Sequence, residues 1–202
     1  MKNELLKLFK EMDECLLNSS KPSLKLDILR EEPVFREYPL SFLHKLQFTE
    51  QSKIHHPEGN VWIHTMMVTD NAAKTRHKSK DMRVFMWAAF LHDIGKPATT
   101  KRRDGKITAY NHDKVGAKIA REFLEFFDEN GVFIREVCNY VYFHMHPLFI
   151  VKKMPFANIA SMKKSVDLEE LSRLSFCDRT GRTGVDLKKE QSISYNFINL
   201  IK

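Results

Sequence analysis

Residues 82–97 read MRVFMWAAFLHDIGKP, and this stretch decides the fold. Its segment 82–94 is apolar on nearly every side, which is typical of a helix buried at the centre of a helical protein. The glycine and the proline that follow interrupt the pattern, because a proline ring cannot continue a helix without losing a hydrogen bond. The stretch therefore predicts a central buried helix whose last turn carries His92 and Asp93.

The rest of the chain also favours helices. Seven glycines and seven prolines are few for 202 residues, which argues against an all-β fold with many tight turns. Apolar residues recur at three- and four-residue steps, which predicts amphipathic helices. These helices are expected before Asn18 and over residues 24–31, 37–48, 61–77, 113–128, 132–145, 156–165, 168–178 and 187–201. We expect an all-α helical bundle, with Asn60 capping the helix at 61–77.

Several classes of protein are excluded by composition. No stretch reaches the roughly 18 to 20 apolar residues that span a bilayer, and the N-terminus is acidic where a signal peptide would be apolar. The three cysteines are odd in number and lack close pairs, which argues against disulfides and thiolate zinc sites. We expect a cytoplasmic protein without membrane contact.

Positive charge is concentrated beside the His-Asp pair. The formal net charge of +7 favours anionic partners only weakly. Between residues 96 and 106, five basic side chains stand against Asp104 alone, a local charge of +4: Lys96, Lys101, Arg102, Arg103 and Lys106. Asp104 and Gly105 predict a small hairpin in the loop 98–111. The segment 101–106 lacks interleaved aromatics, so we interpret it as a solvated face, with RNA contact as the alternative.

Histidines and aspartates at helix ends or on inward helix faces form a candidate metal site. A lone buried histidine is usually structural, but side chains from separate helices of a bundle can converge on one point. Two imidazoles and two carboxylates would hold one divalent ion, and two more histidines a second ion bridged by Asp93. The ligands would be His64, His92, Asp93 and Asp178 for the first ion, and His112 and His144 for the second. Nickel, cobalt, manganese, magnesium, iron and zinc all remain open.

Basic residues near these ligands suggest phosphate chemistry. A divalent ion lowers the pKa of bound water from about 15.7 towards 7 and screens phosphoryl oxygens. Lys96 follows the His-Asp pair by one helical turn and is predicted to bind a substrate oxygen, so Asp93 and Lys96 are the candidate catalytic residues. Arg179 and Arg182 flank a glycine beside the distal aspartate and are predicted to clamp phosphate, with His146 also lining the pocket. Glu58 is interpreted as a helix-entry carboxylate.

Four segments together resemble the HD superfamily of metal-dependent phosphohydrolases, and in particular the HD domain of bacterial CCA-adding tRNA nucleotidyltransferases. They are HPEGNVWIHT at 56–65, HDIGKP at 92–97, HDKVGA at 112–117 and DRTGRTG at 178–184. Asn60 departs from the aspartate that is common there. The resemblance implies an HD-domain bundle over 50–184, with a metal site between central helices. Residues 1–49 would be an N-terminal helical extension packing on that core, and 185–202 a C-terminal helix.

The resemblance also implies roles. It makes His64, His92, Asp93 and Asp178 metal ligands, while His112 and His144 match the extra histidines of two-metal members such as the HD-GYP phosphodiesterases, in which the lysine after the HD pair contacts substrate phosphate. The HD domains of the tRNA enzymes are associated with 2′,3′-cyclic phosphodiesterase, 2′-nucleotidase and phosphatase activities. A phosphate-containing small molecule, a nucleotide or an RNA end is therefore the implied substrate.

Nucleotide addition itself is not expected. The 50 residues before the HD-like region hold neither a glycine-rich turn nor paired aspartates for that reaction, and are too few to fold such a domain, so we expect a stand-alone HD protein. Two alternatives to a hydrolase of nucleotides or RNA ends stay open. One is a non-catalytic or weakly catalytic module that binds RNA or protein, and the other is a nucleotide-pool phosphatase without any connection to RNA.

Overall fold

A computed structural model describes residues 1–201, and α-helices dominate it. The helices are α1 (Lys2–Asn18), α2 (Pro22–Arg30), α3 (Ser41–His44), α4 (Val61–Thr75), α5 (Met82–Leu91), α6 (Lys96–Thr99), α7 (His112–Phe126), α8 (Gly131–Phe143), α9 (His146–Val151), α10 (Ile159–Ser165), α11 (Leu168–Thr180) and α12 (Leu187–Ile201). Short 3-10 turns lie at Pro33–Arg36, Lys45–Phe48 and Arg76–Lys78. The predicted all-α class is confirmed.

Helix α5 is the central element. Every residue from Val84 to Leu91 is buried, and the helix contacts α1, α4, α8 and α11. The Asp81 carboxylate caps its first turn by accepting two backbone N–H groups. Four surrounding helices cover all its sides, which explains why its sequence is apolar all round.

The prediction that this helix continues to residue 94 is wrong. It ends at Leu91, and a turn then leads into α6, where the Lys96 N–H donates to the Asp93 carbonyl at 2.9 Å. Gly95 lies directly against the backbone of α7, and Pro97 occupies the first turn of α6, where a proline is tolerated. His92 and Asp93 are therefore presented from a turn.

Helix α1 is packed into the same core. Its Phe9 ring stacks on Trp87 of α5, with ring centroids 4.9 Å apart, and on Phe127 at 4.2 Å. Asp13 accepts hydrogen bonds from the Trp87 indole at 2.7 Å and from the Arg83 guanidinium at 2.8 Å. Aromatic pairs of this kind add about 0.5 to 1.5 kcal/mol each beyond simple burial. The first helix thus helps to fix the central one.

Two other helix predictions need correction, and one helix was not predicted. Residues 37–48 form α3 with flanking turns and no continuous helix, and α10 begins at Ile159 instead of residue 156. The segment after residue 145, for which no helix is predicted, contains α9. Pro147 stands in the first turn of this helix, where a proline is tolerated.

The predicted hairpin is present. Strands β1 (Lys101–Arg103) and β2 (Lys106–Thr108) pair antiparallel, with Lys101 opposite Thr108. Asp104 and Gly105 have φ angles of 48° and 73°, as a two-residue hairpin turn with two positive φ values requires. The hairpin projects from the chain between α6 and α7.

The C-terminal helix closes a second, smaller core. Helix α12 contacts α9 and α11, and its Phe197 and Ile201 are buried with Phe143, Ile150, Met162 and Leu171. The helix predicted at 187–201 is confirmed. Among the described helices none is both long and apolar enough to cross a bilayer.

Candidate metal centre

The carboxylate of Asp93 lies at the centre of four histidine rings. Its Oδ2 is 3.7 Å from Nε2 of His64 and 3.2 Å from Nε2 of His92. Its Oδ1 is 3.4 Å from Nε2 of His112 and 3.9 Å from Nε2 of His144. The side chain is only 2% exposed. Each oxygen of this one carboxylate thus faces a different pair of histidines.

Asp178 of α11 completes the first of the two groups. Its Oδ1 lies 3.0 Å from Nε2 of His64 and 4.0 Å from Nε2 of His92. The structure therefore brings together all six residues predicted as ligands. Two sets of three ligand atoms, which share Asp93, each lie within 4.8 Å of one another: His64, His92 and Asp93, and Asp93, His112 and His144.

Three of the histidines are held by their own backbone. In each, Nδ1 bonds to the carbonyl oxygen three residues earlier: His92 to Ala89 at 2.8 Å, His112 to Ala109 at 2.7 Å, and His144 to Val141 at 2.7 Å. A carbonyl can only accept, so the proton must be on Nδ1. In the neutral ring, which is the form that binds a metal, the Nε2 lone pair then faces the centre.

These atoms fit a divalent cation. When both rings are neutral, Nε2 of His112 and Nε2 of His144 lie 3.3 Å apart with their lone pairs facing, and either a shared proton or a metal ion between them removes the repulsion. Nε2 of His92 is buried and has no hydrogen-bond partner, which costs free energy in a folded protein. A nitrogen and carboxylate donor set suits several first-row metals and magnesium less well.

The protonation states agree with this fit. Burial lowers the pKa of His144 to about 4, with the His112 and His92 charges acting in the same direction, and burial also lowers the pKa of His112. Burial alone would raise the pKa of Asp93, but His92 and Lys96 outweigh it and hold that pKa well below its usual value. The second group therefore offers neutral imidazoles and an ionised carboxylate at pH 7.

Lys96 points into the centre. Its side chain is 10% exposed, and Nζ lies 2.6 Å from Asp93 Oδ2. The two groups form an ion pair, but the angles at these atoms are not those of a hydrogen bond. Nζ also donates to Gln51 Oε1 at 2.6 Å. Gln51 was not predicted, because it belongs to the loop before α4, whose path depends on tertiary packing. The lysine is held between a ligand and this loop.

Glu58 is the main residue that the sequence argument missed. The cap of α4 is Asn60, as predicted, and Glu58 instead turns inward with a side chain 1% exposed. Its Oε1 lies 2.9 Å from Nδ1 of both His56 and His64. Burial opposes its ionisation, but hydrogen bonds from the two histidines lower its pKa below the usual value. Glu58 thus orients His64, together with the Gly181 carbonyl at 3.0 Å.

Besides Lys96, three residues were predicted to bind substrate, and they lie in different places. Arg182 lies at the edge of the centre, with Nη2 3.4 Å from Asp178 Oδ1 and a buried Nε without a partner. The structure does not bring Arg179 there, because its guanidinium pairs with Glu190 of α12. His146 also lies elsewhere, since α9 turns it among Tyr142, Phe143 and Phe149.

Comparison with known proteins gives one family and several relatives. The HD domain family model matches residues 61–180. The multifunctional CCA protein of Actinobacillus pleuropneumoniae serotype 5b is 31% identical over 105 residues, covering 50% of this chain and 24% of the relative. That of Haemophilus influenzae is 26% identical over 149 residues, covering 70% and 35%. An A-adding tRNA nucleotidyltransferase of Deinococcus radiodurans is 33% identical over 73 residues, covering 35% and 17%. The chain spans between 17% and 35% of the length of these three relatives.

Proposed function

Since the chain belongs to the HD domain family, we propose that it is a metal-dependent phosphohydrolase with Asp93 at the centre of its active site. One observation carries the proposal: the two oxygens of the buried Asp93 carboxylate face two separate histidine pairs. A carboxylate placed in this way can bridge two ions in one centre. His64, His92 and Asp178 would hold the first ion, and His112 and His144 the second.

The chain's own residues have distinct tasks in this proposal. A bound divalent ion supplies an activated water and neutralises charge on the phosphoryl oxygens. Lys96 holds a positive charge beside Asp93, where it can bind a substrate oxygen and stabilise developing negative charge. The unpartnered Nε of Arg182 offers a second donor at the edge of the centre. Both cations are partly buried, which strengthens their interaction with a phosphate.

We propose phosphomonoesters or 2′,3′-cyclic phosphodiesters of nucleotides or RNA ends as the substrate class. The relatives in the comparison are named for CCA and for A addition to tRNA, which supports a nucleotide substrate. The basic hairpin beside the centre supports an anionic one. Three free, buried cysteines fit a reducing compartment, which supports a cytoplasmic protein.

Metal removal and reloading test this function. We expect chelator-treated protein to lose hydrolysis of a generic phosphodiester, and to regain it with nickel, cobalt, manganese, iron, zinc or magnesium at one or two ions per chain. Rates on mononucleotides and on RNA with a cyclic terminal phosphate would then separate a nucleotide-pool phosphatase from an enzyme of RNA ends. Absence of stoichiometric metal and of turnover, with salt-sensitive RNA binding, would instead indicate a binding module.

Metal removal should also destabilise the fold. An ion present at 100 times its dissociation constant stabilises the native state by about 2.7 kcal/mol, provided that the unfolded chain does not bind it. We expect chelation to lower the free energy of unfolding by about this amount in urea titrations followed by circular dichroism. An unfolding curve that is identical with and without chelator would contradict a bound ion.

The substitution Glu58→Gln tests the orientation of His64. Glutamine keeps the shape but loses the charge that accepts from His56 and His64, so we expect metal affinity to fall about 10- to 100-fold. Calorimetric titration of metal into chelator-treated protein measures the change. Glu125→Gln is the matched control, because Glu125 is 57% exposed on α7. Equal affinity of the two variants would remove Glu58 from the site.

A further inference from the structure

The hairpin of β1 and β2 lies, along the chain, between two residues of the candidate metal centre. Its first strand begins five residues after Lys96, and its second strand ends four residues before His112. Arg102, in the middle of β1, pairs with Glu50 at 2.6 Å, beside the loop that holds Lys96. One face of the hairpin is thereby attached to the body of the protein.

The opposite face carries unpaired positive charge. Side chains alternate along a strand, and the register places Lys101 opposite Thr108 and Arg103 opposite Lys106 on one side. Lys101, Arg103 and Lys106 are exposed, and none lies within 4 Å of a carboxylate in residues 1–201. This face therefore presents three cations to solvent.

An exposed tyrosine extends this cationic face. Tyr110 is 63% exposed, and the guanidinium carbon of Arg103 lies 5.3 Å from the centroid of its ring. Its Cα is two residues from that of the ligand His112, which limits their separation to about 7.6 Å. Segment 101–106 itself contains no aromatic side chain, but Tyr110, four residues after its end, provides one. Nucleobases stack on such rings, and a neighbouring arginine adds cation–π attraction.

We propose that Lys101, Arg103, Lys106 and Tyr110, the hairpin face, bind the last nucleotides of a single-stranded RNA. A base stacks on Tyr110, and the flanking phosphates contact the cations, which brings the terminal phosphate to the metal centre. An unpaired strand is required because a stacking base must be free of its helix neighbours. Three cations along a strand pair suit a chain of phosphates better than a single nucleotide. The delivery of the terminal phosphate rests on the proposed hydrolase function, but the binding does not.

Binding to chelator-treated protein tests the hairpin face without any turnover. Fluorescence anisotropy with a labelled short single-stranded RNA is expected to show about tenfold weaker binding for Tyr110→Ala. Tyr110→Phe keeps the ring and should bind like the wild type. Tyr195→Ala is the matched control, since Tyr195 is 69% exposed on α12. Lys106→Ala should reduce the slope of log affinity against log salt by about 0.7.

Two outcomes would overturn the proposal. One is equal RNA affinity of Tyr110→Ala and the wild type, with folding of the variant checked by circular dichroism. The other is displacement of the labelled RNA by AMP at the same concentration at which unlabelled RNA displaces it, which would mean that a mononucleotide fills the site. Wild-type protein that binds RNA through Tyr110 but hydrolyses no phosphoester would contradict the hydrolase function and leave the hairpin face intact.

Discussion

Hydrolysis by metal-loaded protein is expected to fall by about 10³-fold or more when Asp93 is replaced by alanine. Among residues 1–201 this carboxylate is the only one that faces both histidine pairs, so in the proposed centre its loss would remove a ligand from each ion at once. The charge stabilisation supplied by a catalytic metal is several kcal/mol, and each 1.36 kcal/mol corresponds to tenfold in rate. Elemental analysis should show a parallel loss of bound metal.

Two further variants make the Asp93→Ala result interpretable. The alanine leaves the Lys96 ammonium buried without its partner, which itself destabilises the fold. Asp93→Asn preserves the volume and should lose metal as well, with less effect on thermal unfolding. Asp128→Asn makes the same change at an exposed position and should be neutral. Full metal content and turnover in both Asp93 variants would rule out the proposed centre.

Gly95→Ala is expected to lower the free energy of unfolding by about 3 kcal/mol or more. An added Cβ would lie 2.2 Å from the His112 carbonyl oxygen and 2.5 Å from the Gly116 nitrogen, and backbone atoms cannot rotate away. The turn and α7 would have to separate. Because the turn carries Asp93 and Lys96 while α7 carries His112, metal affinity should fall as well.

Urea unfolding and metal titration measure the two effects of Gly95→Ala. Gly131→Ala is the matched control, because a Cβ at Gly131, the first residue of α8, would have no neighbour within 4 Å. That control should be neutral or stabilised by up to about 1 kcal/mol. Wild-type unfolding of Gly95→Ala would show that the turn and α7 are not in contact as described.

The convergence of the six candidate ligands was predictable, but their surroundings were not. His64, His92 and His112 can be recognised in the sequence from their positions on the predicted helices. The chemistry of their imidazoles, together with that of the aspartates, then suggests a shared metal site. Arg179 was assigned by its closeness to Asp178, yet neighbours in a helix point about 100° apart. The residue four positions on returns to the same side, which is why Arg182 reaches Asp178.

The other site residues that were not predicted lie in a loop. Glu58 and Gln51 lie in a segment without periodicity, so only the packed structure shows that they turn inward. The division into 1–49, 50–184 and 185–202 stays a prediction. The stacking of Phe9 on Trp87 means that any such division cuts through side chains in contact.

The four histidines differ in how much of the chain is needed to place them. His92, His112 and His144 each rely on a carbonyl three residues away, a contact of minimal sequence separation. His64 bonds to Asp178 across 114 residues and to Gly181 across 117. Closing a long loop costs more entropy than closing a short one. Three of the four rings can therefore be oriented by local structure, whereas His64 is oriented only when distant parts of the chain have met.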